Sequence, residues 1–370
     1  MPTTKDSLDL QFNTNLMSTT TPSTMQSALV HAGPRVEIIS TEVPKPGPGQ
    51  PLLKVHFAAS NPKDWKRPTL MGQAPLNQGD DVSGAVQALG DNVKGFSIGD
   101  RVAGYHMPGS PFGTYAEYCI VEAWATWHLP DHMDMAEAAT FPMASMTAAV
   151  ALWRELGIPH PWARGQREGI IIYGAGSTVG LFGVKLAKLS GMSPIIAVAG
   201  NDASRKLVAS LLDTGKGDSV VDYRQGEEAT VEAIGAAVGS AKVRLALDAI
   251  SSGATESLLG RVLDKSNGNT RIATVLPLNA EDETEGVTRS FTISPLIFGD
   301  VKEAGMPIGA NRWLGATIIK FIEMAVADGS LKGHPYEIVE GGLHGVEKGL
   351  KLLQAGSVKG PVKYVYKVGA

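Results

Sequence analysis

Chemistry is best supported at Gly174-Ala175-Gly176-Ser177-Thr178-Val179-Gly180. The apolar run before it, Ile170 to Tyr173, reads as a strand buried on both faces. After it, Leu181, Val184, Leu186, Ala187 and Leu189 recur with a helical period, and a second apolar run spans Pro194 to Ala199. Strand, glycine turn, helix and strand make a βαβ unit. Backbone N–H groups at the helix start, with the positive end of its dipole, suit a diphosphate there. Gly174, Gly176, Val179 and Gly180 form the backbone of that anion site, and Ser177 and Thr178 add hydroxyl donors.

The elements that must position this turn belong to a chain of 370 residues, enough for two domains with sizeable cores. A net charge of -4 gives no electrostatic case for nucleic acid or an anionic membrane. No apolar run reaches the ~18 residues that a membrane span needs. Cys119 is the sole cysteine, so an intrachain disulfide and a four-cysteine zinc site are both excluded. Residues 1–25 are rich in Thr, Ser and Asn and lack the apolar core of a secretion signal; they read as a disordered leader on a cytoplasmic protein.

From Gln26 to about Val121 the chain is short strands punctuated by Gly and Pro, as in a small barrel or sandwich. The strands are Ala28–Val30, Val36–Ile39, Leu52–Phe57, Val82–Val86, Arg101–Tyr105 and Tyr115–Val121. A helical stretch follows from Asp134 to about Leu156, interrupted at Pro142. Beyond the glycine turn, βα alternation continues through Ser219–Asp222, Val243–Asp248, Arg271–Leu276 and Ser290–Ile293, which predicts a doubly wound parallel sheet of about six strands. Two helices, near Trp313–Ala327 and Val346–Ala355, precede a closing strand, Lys363–Tyr366, expected to return to the first domain. The expected division is residues 26–142 with 300–370 as a catalytic domain and 143–299 as a nucleotide domain. A cleft then lies between them.

Over residues 26–370 the chain resembles the medium-chain dehydrogenase/reductase superfamily. The likeness rests on Asn61-Pro62-Lys63-Asp64-Trp65-Lys66, on Gly79-Asp80-Asp81-Val82-Ser83-Gly84 with Gly99-Asp100-Arg101-Val102, on Gly113-Thr114-Tyr115-Ala116-Glu117-Tyr118, and on the glycine turn with Asp222-Tyr223. Within the superfamily it is similar to zinc-independent quinone oxidoreductases and fungal trans-acting enoyl reductases. The resemblance implies a GroES-like β-barrel catalytic domain joined to a Rossmann domain. Relatives that oxidise alcohols hold zinc with Cys and His, but the catalytic cysteine position here falls at Asn61–Lys63, so no metal is expected. His106 and His128 read as surface or packing residues.

An acid at the end of the second strand of such a fold bonds the ribose 2′-OH of NAD. That place falls at Ala199 or Gly200. The similar quinone oxidoreductases hold a 2′-phosphate with Ser, Lys and Tyr, which points to Ser204, Arg205, Lys206 and Tyr223 and hence to NADPH. Asp202 opposes this unless it points away. The resemblance places Lys63 and Thr147 near the nicotinamide carboxamide and Lys66 as cofactor contact or donor to a developing enolate. Tyr115 and Tyr105 are weaker proton-donor candidates, and the favoured reading of both is as packing aromatics.

The expected activity is NADPH-dependent reduction of the β-carbon of an α,β-unsaturated carbonyl, a polyketide or other secondary-metabolite intermediate, free or carrier-bound. The alternatives are a zinc-free quinone or carbonyl reductase and, in another class, a redox-inactive NADPH-binding sensor or partner protein. Monomer and homodimer both stay open.

Overall fold

The computed structural model describes residues 21–165, 167–277, 279–299, 310–356 and 360–369. The chain opens with β1 (Thr24–Val30) and β2 (Val36–Glu42), paired antiparallel, then β3 (Pro51–Ala59) and α1 (Pro62–Leu70). It continues with β4 (Asp81–Leu89), β5 (Arg101–Tyr105), β6 (Tyr118–Ile120) and β7 (Thr126–His128). Residues 24 and 25, expected in the leader, already belong to β1, and Met25 is buried. An apolar side chain that finds Leu52, Ala116 and Ile120 to pack on overrides the polar composition around it. The rest of the expected leader, residues 1–20, lies outside the described residues, as do 300–309, where the second domain boundary was placed.

The helical stretch breaks where Pro142 was expected to break it. Helix α2 (Met135–Ala138) is capped by Asp134, and α3 (Pro142–Ala149) restarts with the proline at its first turn, where no N–H is needed. All eight residues of α3 are buried, so its apolar all-round sequence is that of a core helix. It runs on as a π-helical segment, Val150–Glu155.

The nucleotide half then alternates strand and α-helix up to its last strand, which follows the one before it without an α-helix among the described residues. It comprises β8 (Ile170–Tyr173), α4 (Thr178–Leu189), β9 (Ile195–Ala199), α5 (Asp202–Ala209), β10 (Ser219–Asp222) and α6 (Glu227–Val238). After these come β11 (Leu245–Asp248), α7 (Gly253–Val262), β12 (Thr270–Thr274) and β13 (Val287–Phe291). The sheet order is β10-β9-β8-β11-β12-β13, with every neighbouring pair parallel. That is the doubly wound order, whose switch point lies between β8 and β11. One face packs on α3, α4 and α8 (Ala310–Ala327), the other on α6 and α7.

The C-terminal part adds β14 (Tyr336–Ile338), α9 (Val346–Gln354) and β15 (Lys363–Lys367). Strand β15 pairs antiparallel with β3 in a seven-stranded sheet ordered β14-β15-β3-β4-β5-β7, with β6 also on β3. The closing strand therefore returns to the first sheet, as the Lys363–Tyr366 pattern predicts.

Candidate active site

A cleft of about 700 Å³ runs from α1 and the start of α3 to the carboxyl ends of β8 and β9. Lys63, Lys66, Thr147, Gly174, Gly176, Ser177, Thr178, Val179, Ser204 and Tyr223 line it together. Gly180 lies beneath the turn, and Tyr115, Arg205 and Lys206 stand away from the cleft wall.

At the diphosphate end, Gly174 turns the chain at φ +73, a conformation L side chains avoid. A Cβ on Gly180 would sit 2.2 Å from the Gly174 carbonyl oxygen, so only glycine lets α4 start this close to the turn. Ser177 caps α4 by accepting from Gly180 N at 3.1 Å. The Thr178 and Val179 N–H groups have no acceptor in the described chain and face the cleft end of the helix. Two orphan donors, a tight glycine turn and a helix start fit a dinucleotide diphosphate.

At the end of β9 stand Gly200 and Asn201. Asn201 caps α5 by accepting from Ser204 N at 2.8 Å. Ser204 is buried beside Gly176, and Tyr223 lies over Gly200 so closely that a Cβ there would meet its hydroxyl at 2.6 Å. Arg205 does not face this pocket. It donates to Asp202 Oδ1 at 2.6 Å and pairs with Asp222, while Arg224 holds Asp222 Oδ2 at 2.9 Å and Asp202 Oδ1 at 3.0 Å. Hydrogen bonds from Arg224, and the charge of Arg205, hold the Asp222 carboxyl well below the usual range. The expectation that Arg205 and Lys206 present free charge to the cleft is corrected: Arg205 is taken up by carboxylates, and Lys206 is exposed off the cleft. The same network neutralises Asp202.

The other end is built on α1, which the sequence pattern did not reveal as a helix. Its entry is fixed by Asp64, whose Oδ2 accepts from Asn61 N at 2.8 Å and from the Tyr115 hydroxyl at 2.6 Å. Tyr115 is fully buried with its ring 5.8 Å from that of Tyr366, so it braces α1 and is not the expected proton donor. Tyr105 is likewise buried, held by Ser294 Oγ at 3.0 Å.

Lys63 lines the cleft with its stem, but its Nζ is occupied by the Gln78 carbonyl at 2.5 Å, by Asp64 at 2.9 Å and by Asp80. One hydrogen bond and two ion pairs thus engage the ammonium. Burial works against its charge, yet Asp64 and Asp80 prevail and raise its pKa. Burial also pushes Asp64 up, to about 6, with Lys63 opposing and Asp80 adding to the rise. Asp80 in turn takes His106 Nδ1 at 2.9 Å.

Lys66 is different. It is half-buried, with no carboxylate partner among the described residues and the Trp65 ring centroid 5.9 Å from its Nζ. Burial lowers its pKa. Thr147 donates to the Met143 carbonyl at 2.7 Å and lies 3.2 Å from Ser294 Oγ, a residue that sequence reasoning missed.

Asp81, Lys363 and His334 were also missed as site residues. Asp81 Oδ2 accepts from Lys363 Nζ at 2.5 Å and from Asn61 Nδ2 at 2.7 Å, and its Oδ1 accepts from Met143 N at 2.6 Å. One buried carboxylate thus ties β4 to the start of α1, the start of α3 and β15. His334 lines the cleft, is 2% exposed, and has an Nδ1 without a partner. Burial, with the charges of Lys185 and Lys363, holds its pKa down to about 3, so it is a neutral imidazole.

Residues 47–131 match the alcohol dehydrogenase GroES-like domain. The chain is 40% identical over 328 residues to a trans-enoyl reductase of Gibberella fujikuroi, covering 87% of this chain and 93% of that protein. It belongs to the trans-enoyl reductases. A second trans-enoyl reductase, from Aspergillus sclerotiorum, is 30% identical over 367 residues, 93% of this chain and 97% of the relative. The fold is shared with the quinone oxidoreductase of Coxiella burnetii, at TM-score 0.70 and 21% identity over 94% of this chain and all of that one, 100%. The reductase is thus an oxidoreductase with the GroES-like part and the Rossmann-type parallel sheet that its sequence predicted. Among the described residues no group of three or more His, Cys, Asp and Glu side chains is placed to hold a metal ion. His128 sits between Asp100 and Glu323. No described helix is long and apolar enough to cross a membrane.

Proposed function

We propose that this reductase uses NADPH to reduce the carbon–carbon double bond of an α,β-unsaturated carbonyl, an intermediate of secondary metabolism. The observation that carries the reading is one cleft shared by the diphosphate turn at one end and the unpaired Lys66 ammonium at the other. When bound, the reduced nicotinamide supplies the hydride. Thr178 and Val179 N–H, with Ser177, hold the diphosphate. Ser204 and Tyr223 receive the 2′-phosphate, supported by the lack of an acid at Ala199-Gly200-Asn201 and by the arginines that neutralise Asp202.

As the β-carbon is reduced, negative charge develops on the substrate carbonyl oxygen. Lys66 donates to it from a partly desolvated site, where a fixed charge acts more strongly than in water. Thr147 and Ser294 orient the reacting end through hydroxyls already fixed by Met143 and Tyr105. Lys63 keeps its ammonium for Asp64 and Asp80 and so holds α1 in place rather than meeting the cofactor. Residues 24–142 with the chain from β14 onward form the catalytic part and 143–299 the nucleotide part.

NADPH consumption with a panel of enoyl thioesters, enones and quinones tests this, alongside affinities for NADPH and NADH. Turnover of conjugated thioesters or enones with NADPH preferred is the expected result. Tight NADPH binding with no turnover anywhere in the panel sinks the enzyme reading, and equal affinity for NADH sinks the 2′-phosphate assignment.

A further inference from the structure

Arg67 follows Lys66 on α1 and lines the same cleft, yet the proposed reduction leaves it without a task. Its Nη1 is buried with no hydrogen-bond partner, and no carboxylate pairs with its guanidinium among the described residues. Gly109 passes directly over it: a Cβ there would stand 3.2 Å from Nη1. The loop through Gly109 therefore screens part of the guanidinium from water. A desolvated, unpaired cation is costly to keep. Its neighbours make it costlier, because Met71 and Pro108 line the wall with apolar surface. A planar fork of donors in such a place matches one class of partner, an oxyanion that accepts from two nitrogens at once.

We propose that Arg67 binds an oxyanion that the substrate carries away from its double bond, a carboxylate or a phosphate ester. This makes Arg67 a specificity-determining residue, with remote binding energy used to seat the reacting end. The inference rests on the enoyl-reductase reading, but its test is binding, not turnover, so the two fail separately.

Three unreactive saturated probes distinguish the sources of charge: butyryl-pantetheine, which is neutral; butyryl-pantetheine phosphate; and the butyryl thioester of mercaptohexanoic acid. Each is titrated calorimetrically into the full chain saturated with NADP⁺, for wild type, Arg67→Met and Arg67→Lys. Wild type is expected to prefer at least one charged probe over the neutral one by about tenfold or more. Arg67→Met loses that preference, Arg67→Lys keeps part of it, and raising the salt concentration shrinks it. Whichever charged probe is preferred identifies the oxyanion. A wild-type protein with no preference overturns the proposal whatever the variants do. So does an Arg67→Met protein that keeps the wild-type ratio, or one whose only change is weaker NADP⁺ binding.

Discussion

Removing the Lys363 ammonium is expected to damage the reductase more than any other single change at the floor of the cleft. Lys363 and Asp81 are 3% and 0% exposed and 2.5 Å apart. In Lys363→Met the Asp81 carboxylate keeps two donors, Asn61 Nδ2 and Met143 N, but loses the one cation paired with it among the described residues. Breaking a buried pair on one side costs about 3–5 kcal/mol, because the remaining charge stays desolvated. For a chain of this size that corresponds to a fall in melting temperature of about 4–6 °C. The double variant Asp81→Asn, Lys363→Met leaves no buried charge, so it is expected to be less damaged than Lys363→Met alone. Thermal melts of the two single variants and the double complete a mutant cycle, with a coupling of at least about 2 kcal/mol expected. The same carboxylate anchors α1 and α3, which carry Lys66 and Thr147, so Lys363→Met also lowers kcat in the folded protein. A Lys363→Met protein within about 1 kcal/mol of wild type, or single effects that simply add, would refute the reasoning.

Acid stability reports on His334. Its pKa of about 3 in the fold lies below the ~6.5 of an unfolded histidine, so the unfolded chain binds the extra proton between those values. Stability at neutral pH is therefore lost as pH falls from about 6.5 toward 3, by up to ~1.4 kcal/mol per pH unit, and His334→Gln should flatten that slope in denaturant midpoints; an unchanged slope rules it out. Gly180→Ala drives a Cβ into the Gly174 carbonyl and displaces the start of α4, so NADPH affinity should fall about tenfold or more in a fluorescence titration. An unaltered affinity would remove the turn from the cofactor site. Lys66→Met should lower kcat about 100-fold while NADPH affinity changes little, and matched losses in both would make Lys66 a cofactor contact instead of an enolate donor.

Much of the nucleotide half was legible because its determinants are local. A strand buried on both faces, a glycine turn and an apolar helix stripe each sit within a few residues of one another, and the observed strands fall within a few positions of their expected places. Pro142 marked its helix start for the same reason. Helix α1 was hidden. It is nine residues long, carries Pro62 and Pro68, and is held by Tyr115 and Asp81 rather than by its own propensity. Tyr115 and Arg205 were read for their chemistry, and both prove to be occupied, one by Asp64 and the other by Asp202 and Asp222. A side chain's type is visible in a sequence, but whether its hydrogen-bonding capacity is already consumed is not.

The glycine turn, its flanking strand and helix, and the absence of an acid after β9 were determined by residue order alone, since each depends on neighbours along the chain. The partners of Asp81 were decided only by the tertiary structure. Lys363 is 282 positions away, Met143 is 62 and Asn61 is 20. No periodicity links them, and they meet because β15 crosses back to β3 and brings a lysine to a carboxylate that water has left.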